Sequence, residues 1–339
     1  MCQGRRRPAP PVGSRGRAIF FEVLAEFAAT TQNPRVAAVH RRHATPASVA
    51  VRGRAGVGRK TVAAALASAG VRVVADGPAD VTAVVVAETV KPEDAALLRD
   101  AAAALLVLNK ADLTGAGPGG PLAAADRRAA ELAAAFGCPA VPTAAHLAVA
   151  ELDETLAAAL RRLIDHPADM TSVDAFVTSD HPLPGEVRGR LLATLDRFGI
   201  AHAVLAAADG ASTDSIVAGL RRLSGVERVV AALRPVAAPA RYRAVCAALR
   251  ELRILAVRSH DEQLERFLAG DDAVVAVMAA AVEVVEATGA TVDRGDDPGA
   301  HLRRAVHWRR CARGPFDRLH AACAADISRG SLRLLARTS

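Results

Sequence analysis

The rhythm of apolar and polar positions changes near residue 170. Up to that point short apolar runs alternate with amphipathic stretches. The runs are SVAVRG (48–53), VRVVAD (71–76), TAVVVAE (82–88), ALLVLNKADL (104–113) and PAVPTAA (139–145). Each is short, β-branched or Leu-rich and bounded by turn formers, which predicts buried strands. Between them, Thr61 to Ala69, Pro92 to about Ala102, Leu122 to Phe136 and Leu152 to Ile164 carry helical spacing. Strands alternating with helices imply right-handed crossovers and a doubly wound, mainly parallel sheet covered on both faces, an α/β fold. Beyond residue 170 helical periodicity takes over, in 185–198, 212–223, 239–252, 260–269, 272–288 and 298–336, with GIAHAVLAA (199–207) the one stretch that competes as a strand. Ahead of the first strand, Ile19, Phe20, Val23, Leu24 and Phe27 fall at helical spacing and predict an amphipathic helix over 17–31.

The expected organisation is a basic arm at 1–16, an N-terminal helix and linker at 17–46, an α/β domain at 47–166 and a mostly α-helical C-terminal domain at 170–339. With 339 residues and 51% hydrophobic content, two sizeable cores are expected. The opening MCQGRRRPAPPVGSRGR lacks an apolar segment and reads as a disordered arm. The charge-free apolar run Ala273 to Val282 is too short to span a bilayer, so no transmembrane segment is expected. Five dispersed cysteines fit a reduced, cytoplasmic setting. Lys+Arg 43 against Asp+Glu 36 gives a net charge of +7, mostly from scattered arginines, which permits contact with nucleic acid or an acidic membrane surface without favouring either. Aromatic residues at 3% argue against a base-stacking, nucleic-acid-binding surface. The Ala/Arg/Val-rich composition suits a high-GC bacterial source.

Candidate chemistry begins at GRAGVGRKT, Gly53 to Thr61. A strand running into a glycine loop that opens a helix is the setting of a phosphate site, because Gly56 and Gly58 let backbone NH groups approach an anion at a helix N-terminus. The pattern G-x-x-x-x-G-K-[ST] is broken, since Gly53 and Gly58 are followed by Arg59 and Lys60. Further on, Asn109-Lys110-Ala111-Asp112 closes a buried strand, and Pro142-Thr143-Ala144-Ala145 closes the next.

Together these elements resemble P-loop GTPases, over about residues 47–165. NKAD matches the guanine-recognition N-K-x-D motif, in which a carboxylate accepts two hydrogen bonds from guanine that adenine cannot offer. The resemblance implies that Asp112 reads the base, Lys110 lays its stem over it and Asn109 ties this loop to the phosphate loop. It also implies that Thr143, Ala144 and Ala145 stand where the family offers a backbone NH to guanine O6. The cofactor implied is GTP/GDP. In the family, apolar residues fall three and seven positions after the loop lysine, and Val62 and Leu66 satisfy this if Arg59 takes the lysine position. Lys60 then stands at the Mg²⁺-binding Ser/Thr position, with Thr61 just beyond, and a protonated amine cannot ligate a metal. Asp76 takes the place of the Walker-B carboxylate, but Asp76-Gly77-Pro78-Ala79 lacks the last glycine of D-x-x-G, and Asp80 is a second carboxylate nearby. Only Gly70 separates the first helix from the next strand, so the segment carrying switch I is missing. The resemblance thus implies a guanine-nucleotide-binding regulator or scaffold with an unknown protein partner, a doubtful Mg²⁺ site and slow GTP hydrolysis at most. The alternatives are a nucleotide-free interaction module and, less favoured, an RNA-binding protein. Arg197 to Leu233 also resembles the helical region following the G domain in actinobacterial dynamin-type GTPases.

Two weaker patterns remain. His307/Cys311 and His320/Cys323 flank a break at Gly314-Pro315 and could meet around a zinc, although helical His and Cys are commonplace. Arg303, Arg304, Arg309, Arg310 and Arg313 surround Trp308 and could grip phosphate, although a solvated helix face is the plainer reading. His181 and Cys138 have no visible catalytic partner and are assigned to loop and core.

Overall fold

The computed structural model describes residues 16–75, 77–115 and 117–338, with side chains from residue 19 onward. The elements run α1 (Gly16–Thr31), α2 (Pro34–His43), β1 (Val49–Arg52), α3 (Arg59–Ser68), β2 (Val73–Val74), β3 (Val81–Val86), α4 (Pro92–Asp100), β4 (Ala104–Asn109), a 3-10 turn (Ala111–Leu113), α5 (Gly120–Phe136), β5 (Ala140–Thr143), α6 (Ala145–Ala148) and α7 (Glu154–Asp165). They continue as α8 (Val173–Thr178), α9 (Gly185–Ala208), α10 (Thr213–Leu223), α11 (Val226–Val236), α12 (Ala238–Ser259), α13 (Glu262–Ala269), α14 (Asp271–Ala287), α15 (Pro298–Cys311) and α16 (Arg318–Thr338).

Among the described residues the five strands form one parallel sheet in the order β2-β1-β3-β4-β5. That order reverses direction between β1 and β3, which makes a crevice at the carboxyl ends of these two strands. The register pairs Val49 with Val73 and Val81, Leu105 with Ala83, and Asn109 with Thr143. The apolar runs of β3 and β4 are buried on both faces, as a strand covered by helices on each side requires. Four residues, Ala69 to Arg72, connect α3 to β2, so no strand intervenes there. The α/β reading and the predominance of helix after residue 170 therefore hold.

The chain divides into two compact units along different lines from those expected, with Ser48–Leu233 forming one and Met1–Ala47 joined by Arg234–Ser339 forming the other. The physical reason is where the apolar faces go. In the first unit, α7 places Leu156, Leu160 and Leu163 against Phe176 of α8, Leu191, Leu195 and Ile200 of α9, and Ile216 and Leu220 of α10. Helices 170–223 thereby belong to the α/β body. Arg188 reinforces this cover by donating to the Phe176 and Ser179 carbonyls at 2.6 and 2.7 Å. GIAHAVLAA is part of α9, because its apolar residues meet this core at helical spacing.

In the second unit, Phe20 and Leu24 of α1 and Val36 and Val39 of α2 share a core with Tyr242, Leu252, Val275, Met278 and Ile327. The helix expected over 17–31 is α1, and the expected linker carries a second helix, α2, capped by Asn33, whose side-chain Oδ1 accepts from the NH groups of Arg35 and Val36. α14 is apolar almost all round and lies inside the bundle. α16 approaches it closely through Gly330, where a Cβ would fall 2.5 Å from that of Met278. The helical stretch expected over 298–336 is α15 and α16, separated at the expected break around Gly314-Pro315. Of the described helices only α9 has the length and mean hydropathy of a membrane-spanning segment, and Asp196 interrupts it with non-helical φ/ψ, so the described residues contain no clear transmembrane segment.

Candidate functional site

The crevice at the β1 and β3 carboxyl ends is lined by the loop from Gly53 to Gly58. Its path depends on glycine at two places. Gly53 has φ +144°, and a Cβ there would stand 2.3 Å from the Val85 carbonyl oxygen of β3. Gly58, at φ +86°, would push a Cβ to 2.3 Å from Asn109 Nδ2. α3 begins at Arg59 with Gly58 as its cap, and Val62 and Leu66 are buried beneath it. The helix register is thus the one in which Arg59 follows the last loop glycine and Lys60 comes next. Both side chains are exposed at the N-terminal end of α3, where backbone NH groups and two cations together favour an anion. Arg54 turns the other way, donating Nε to Asp94 Oδ2 at 2.8 Å, and the same oxygen accepts the Lys91 NH at 3.1 Å. This ion pair fixes the loop to the start of α4.

Asn109 ends β4 and joins three loops. Its Nδ2 donates to the Val57 carbonyl at 2.9 Å, inside the glycine loop, and its Oδ1 accepts the Ala145 NH at 3.1 Å, after β5. Both contacts are buried, where a hydrogen bond left unmade costs about 1–3 kcal/mol. Lys110 follows in the left-handed conformation with its side chain exposed, and the turn it opens carries Asp112 inward. Thr143 Oγ1 donates to the Ser224 carbonyl at 2.8 Å, and the Ala144 NH donates to that oxygen at 2.9 Å. The amide groups of Ala144 and Ala145 are therefore both engaged within the protein.

Asp112 is 9% exposed, and its Oδ1 is buried with no hydrogen-bond partner. Burial pushes its carboxyl above the usual carboxylate range, and Asp196 adds to that, while His146 and Lys110 pull it back. His146, from α6, and Asp196, from the break in α9, bring their ligating atoms within 4.8 Å of Asp112 and of each other. His146 Nε2 lies 3.2 Å from the Leu195 carbonyl, and Asp196, at φ 57° and ψ 171°, accepts the Arg197 NH on Oδ1 at 2.6 Å. Neither residue stood out in the sequence. His146 directly follows the Thr143-Ala144-Ala145 element, which was its one available signal, and Asp196 lies two residues before the end of the helix expected over 185–198, a boundary that says nothing of its carboxylate.

The remaining candidates separate. Asp76 lies outside the described residues. Asp80 takes the Ser48 NH and Oγ at 2.8 and 2.9 Å, and so sits at the amino ends of β1 and β3, away from the glycine loop. His307 and Cys311 are 3.6 Å apart, but His320 pairs with Asp317 and Cys323 is sealed in the core. These four form no metal cluster among the described residues. Arg304 leaves the arginine cluster altogether. It is buried, donating to Ser331 Oγ, the Asp293 and Gly295 carbonyls and His301 Nδ1. His181 braces its loop through the His166 carbonyl and the Leu183 NH, and Cys138 is half-buried with its thiol pushed up by burial, as loop and core residues. Comparison of the chain with protein-family models, with curated proteins and with solved structures gives no match.

Proposed function

We propose that the chain is a guanine-nucleotide-binding protein of the P-loop GTPase type, with weak or absent hydrolysis, acting as a regulator or scaffold. The observation that carries the reading is Asn109. One amide side chain holds the glycine loop through Val57 and the loop after β5 through Ala145, which is what joining a phosphate half to a base half requires. The parallel sheet order supports it, since both loops leave carboxyl strand ends on one edge.

On this reading Gly56 to Lys60 would hold the phosphates, with Arg59 supplying charge to them. Lys60 neutralises part of the remainder in place of a metal-binding hydroxyl, so affinity depends weakly on Mg²⁺. Asp112 would accept from the base, while the Ala144 and Ala145 NH groups are already engaged by the Ser224 carbonyl and Asn109 Oδ1. Phosphoryl transfer needs a neutralised γ-phosphate and an oriented water. Without a switch I segment and the D-x-x-G glycine, turnover is at or below about 10⁻⁴ per second.

The second reading, an interaction module that binds no nucleotide, draws on the crowding of Asp112 by His146 and Asp196. Binding of fluorescent GDP and ADP to the full chain separates the two. The expected outcome is a preference for GDP of at least about tenfold, removed by Asp112→Ala, at about 1–3 kcal/mol per lost buried group. Equal affinities in the unmutated protein would end the guanine reading.

A further inference from the structure

We propose that Asp112, His146 and Asp196 form a binding site for a first-row divalent transition metal, Zn²⁺ or Mn²⁺, held by two carboxylates and one imidazole. The three side chains come from separate elements, the 3-10 turn after β4, α6 and the interruption in α9, and their ligating atoms lie within 4.8 Å of one another. Metal–ligand bonds of about 2.0–2.2 Å put two ligands of one tetrahedral ion roughly 3.4 Å apart. The observed separations exceed this by up to about 1.4 Å, which the half-buried His146 and Asp196 side chains would close by adjusting toward Asp112.

The independent pointer is the Asp112 Oδ1 atom, buried and without a partner. Most buried carboxylate oxygens in folded proteins are paired, and this one belongs to a carboxylate with an imidazole and a second carboxylate within 4.8 Å. The charges close with a metal. Two carboxylates and a dication sum to zero with His146 neutral, whereas a protonated His146 offsets only one carboxylate. The supporting bonds also suit ligation. With Nε2 donating to the Leu195 carbonyl, the imidazole keeps its lone pair on Nδ1, and with Asp196 Oδ1 accepting the Arg197 NH, Oδ2 is left to ligate. The break at Asp196 delivers both the carbonyl that orients the histidine and the carboxylate beside it.

Ligand chemistry sets the metal class. An imidazole disfavours Mg²⁺ and Ca²⁺, the absence of thiolate disfavours the softest ions, and a mixed nitrogen and oxygen set suits Zn²⁺ or Mn²⁺. Three protein ligands leave a position for water or an exchangeable group. The site stands apart from the nucleotide reading. Where both operate they share the Asp112 carboxylate, so each ligand weakens the other by the same factor.

The test is titration of chelator-treated, full-length protein with Zn²⁺, Mn²⁺ and Mg²⁺ by calorimetry, followed by Co²⁺ spectroscopy. One equivalent of Zn²⁺ or Mn²⁺ is expected, with Mg²⁺ far weaker and a Co²⁺ spectrum free of a thiolate charge-transfer band. His146→Ala and Asp196→Asn should each weaken binding by more than the roughly 10–100-fold lost when only a supporter of a ligand is removed. Asn has nearly the shape of the Asp that already adopts this backbone conformation, so that variant is expected to retain the fold, checked by its melting curve. No stoichiometric binding by the unmutated protein overturns the proposal, as does unchanged binding in the His146→Ala/Asp196→Asn double variant or a thiolate band in the Co²⁺ spectrum. GDP binding is measured on the same metal-free protein. Its absence beside an intact metal response would remove the guanine reading and leave the metal site in place.

Discussion

Arg304 and Asp112 are both buried charged residues, one in each compact unit, and they are treated in opposite ways. Arg304 is 1% exposed and spends its guanidinium on Ser331, two backbone carbonyls and His301. Burial lowers its pKa, and it lowers that of His301 beside it, so the pair is a cation resting on a neutral imidazole. Asp112 is nearly as buried, yet one oxygen has no partner and its surroundings include another carboxylate. Asp94, fully buried with one free oxygen of its own, differs because Arg54 pairs its charge. A buried charge satisfied by its own chain belongs to the architecture. One left incomplete, in the turn after β4, is what a ligand would complete.

The contrast can be broken most forcefully at Arg304. Arg304→Met keeps the stem but leaves the Ser331 hydroxyl, the carbonyls and His301 without their donor, and an expected loss of about 3 kcal/mol should appear in urea denaturation. A loss under about 1 kcal/mol would mean that the network is not structural.

Gly58→Ala comes next. It combines a left-handed backbone with a methyl driven at Asn109 Nδ2, so about 2 kcal/mol of stability and the bridge to Val57 should go together. Gly56→Ala meets open space at φ +82°, which leaves only the backbone strain of about 1 kcal/mol. Equal effects at the two glycines would show that Asn109 does not lock the loop.

The smallest effect has the opposite sign. The folded-state pKa of Asp112 is raised above 3.8, so the protonated carboxyl is the form the fold prefers. That contribution is complete below the unfolded pKa and is lost as pH rises through the folded one. Asp112→Asn should therefore raise the melting temperature of the ligand-free protein at pH 7 and change it less near pH 4. A variant that is less stable at pH 7 would make Asp112 a structural residue like Arg304.

The α/β architecture was legible in the order of apolar runs, and the strands ending in Gly53 and Asn109 fell where their composition placed them. So did the helix register after the glycine loop, because Val62 and Leu66 can face the sheet in only one phase. The Asn109 bridge was legible only through a family resemblance, since no spacing rule joins residue 109 to residues 57 and 145.

What the sequence determined by itself was local. Alternation, helical period, glycines at positive φ and the cap at Asn33 are written in neighbouring residues, whose sterics and hydrogen bonds act over a few positions. Tertiary structure decided which apolar faces meet. It gave α1 and α2 to the bundle of α12 to α16, and α8 to α10 to the α/β body, because an amphipathic face records that it must be covered and not by what. It also decided the surroundings of Asp112. His146 is 34 positions away and Asp196 is 84, and nothing in the residues next to either one points to Asp112. Burial, charge and distance among such residues are properties of the packed chain, and they set an imidazole and a second carboxylate beside the Asp112 carboxylate.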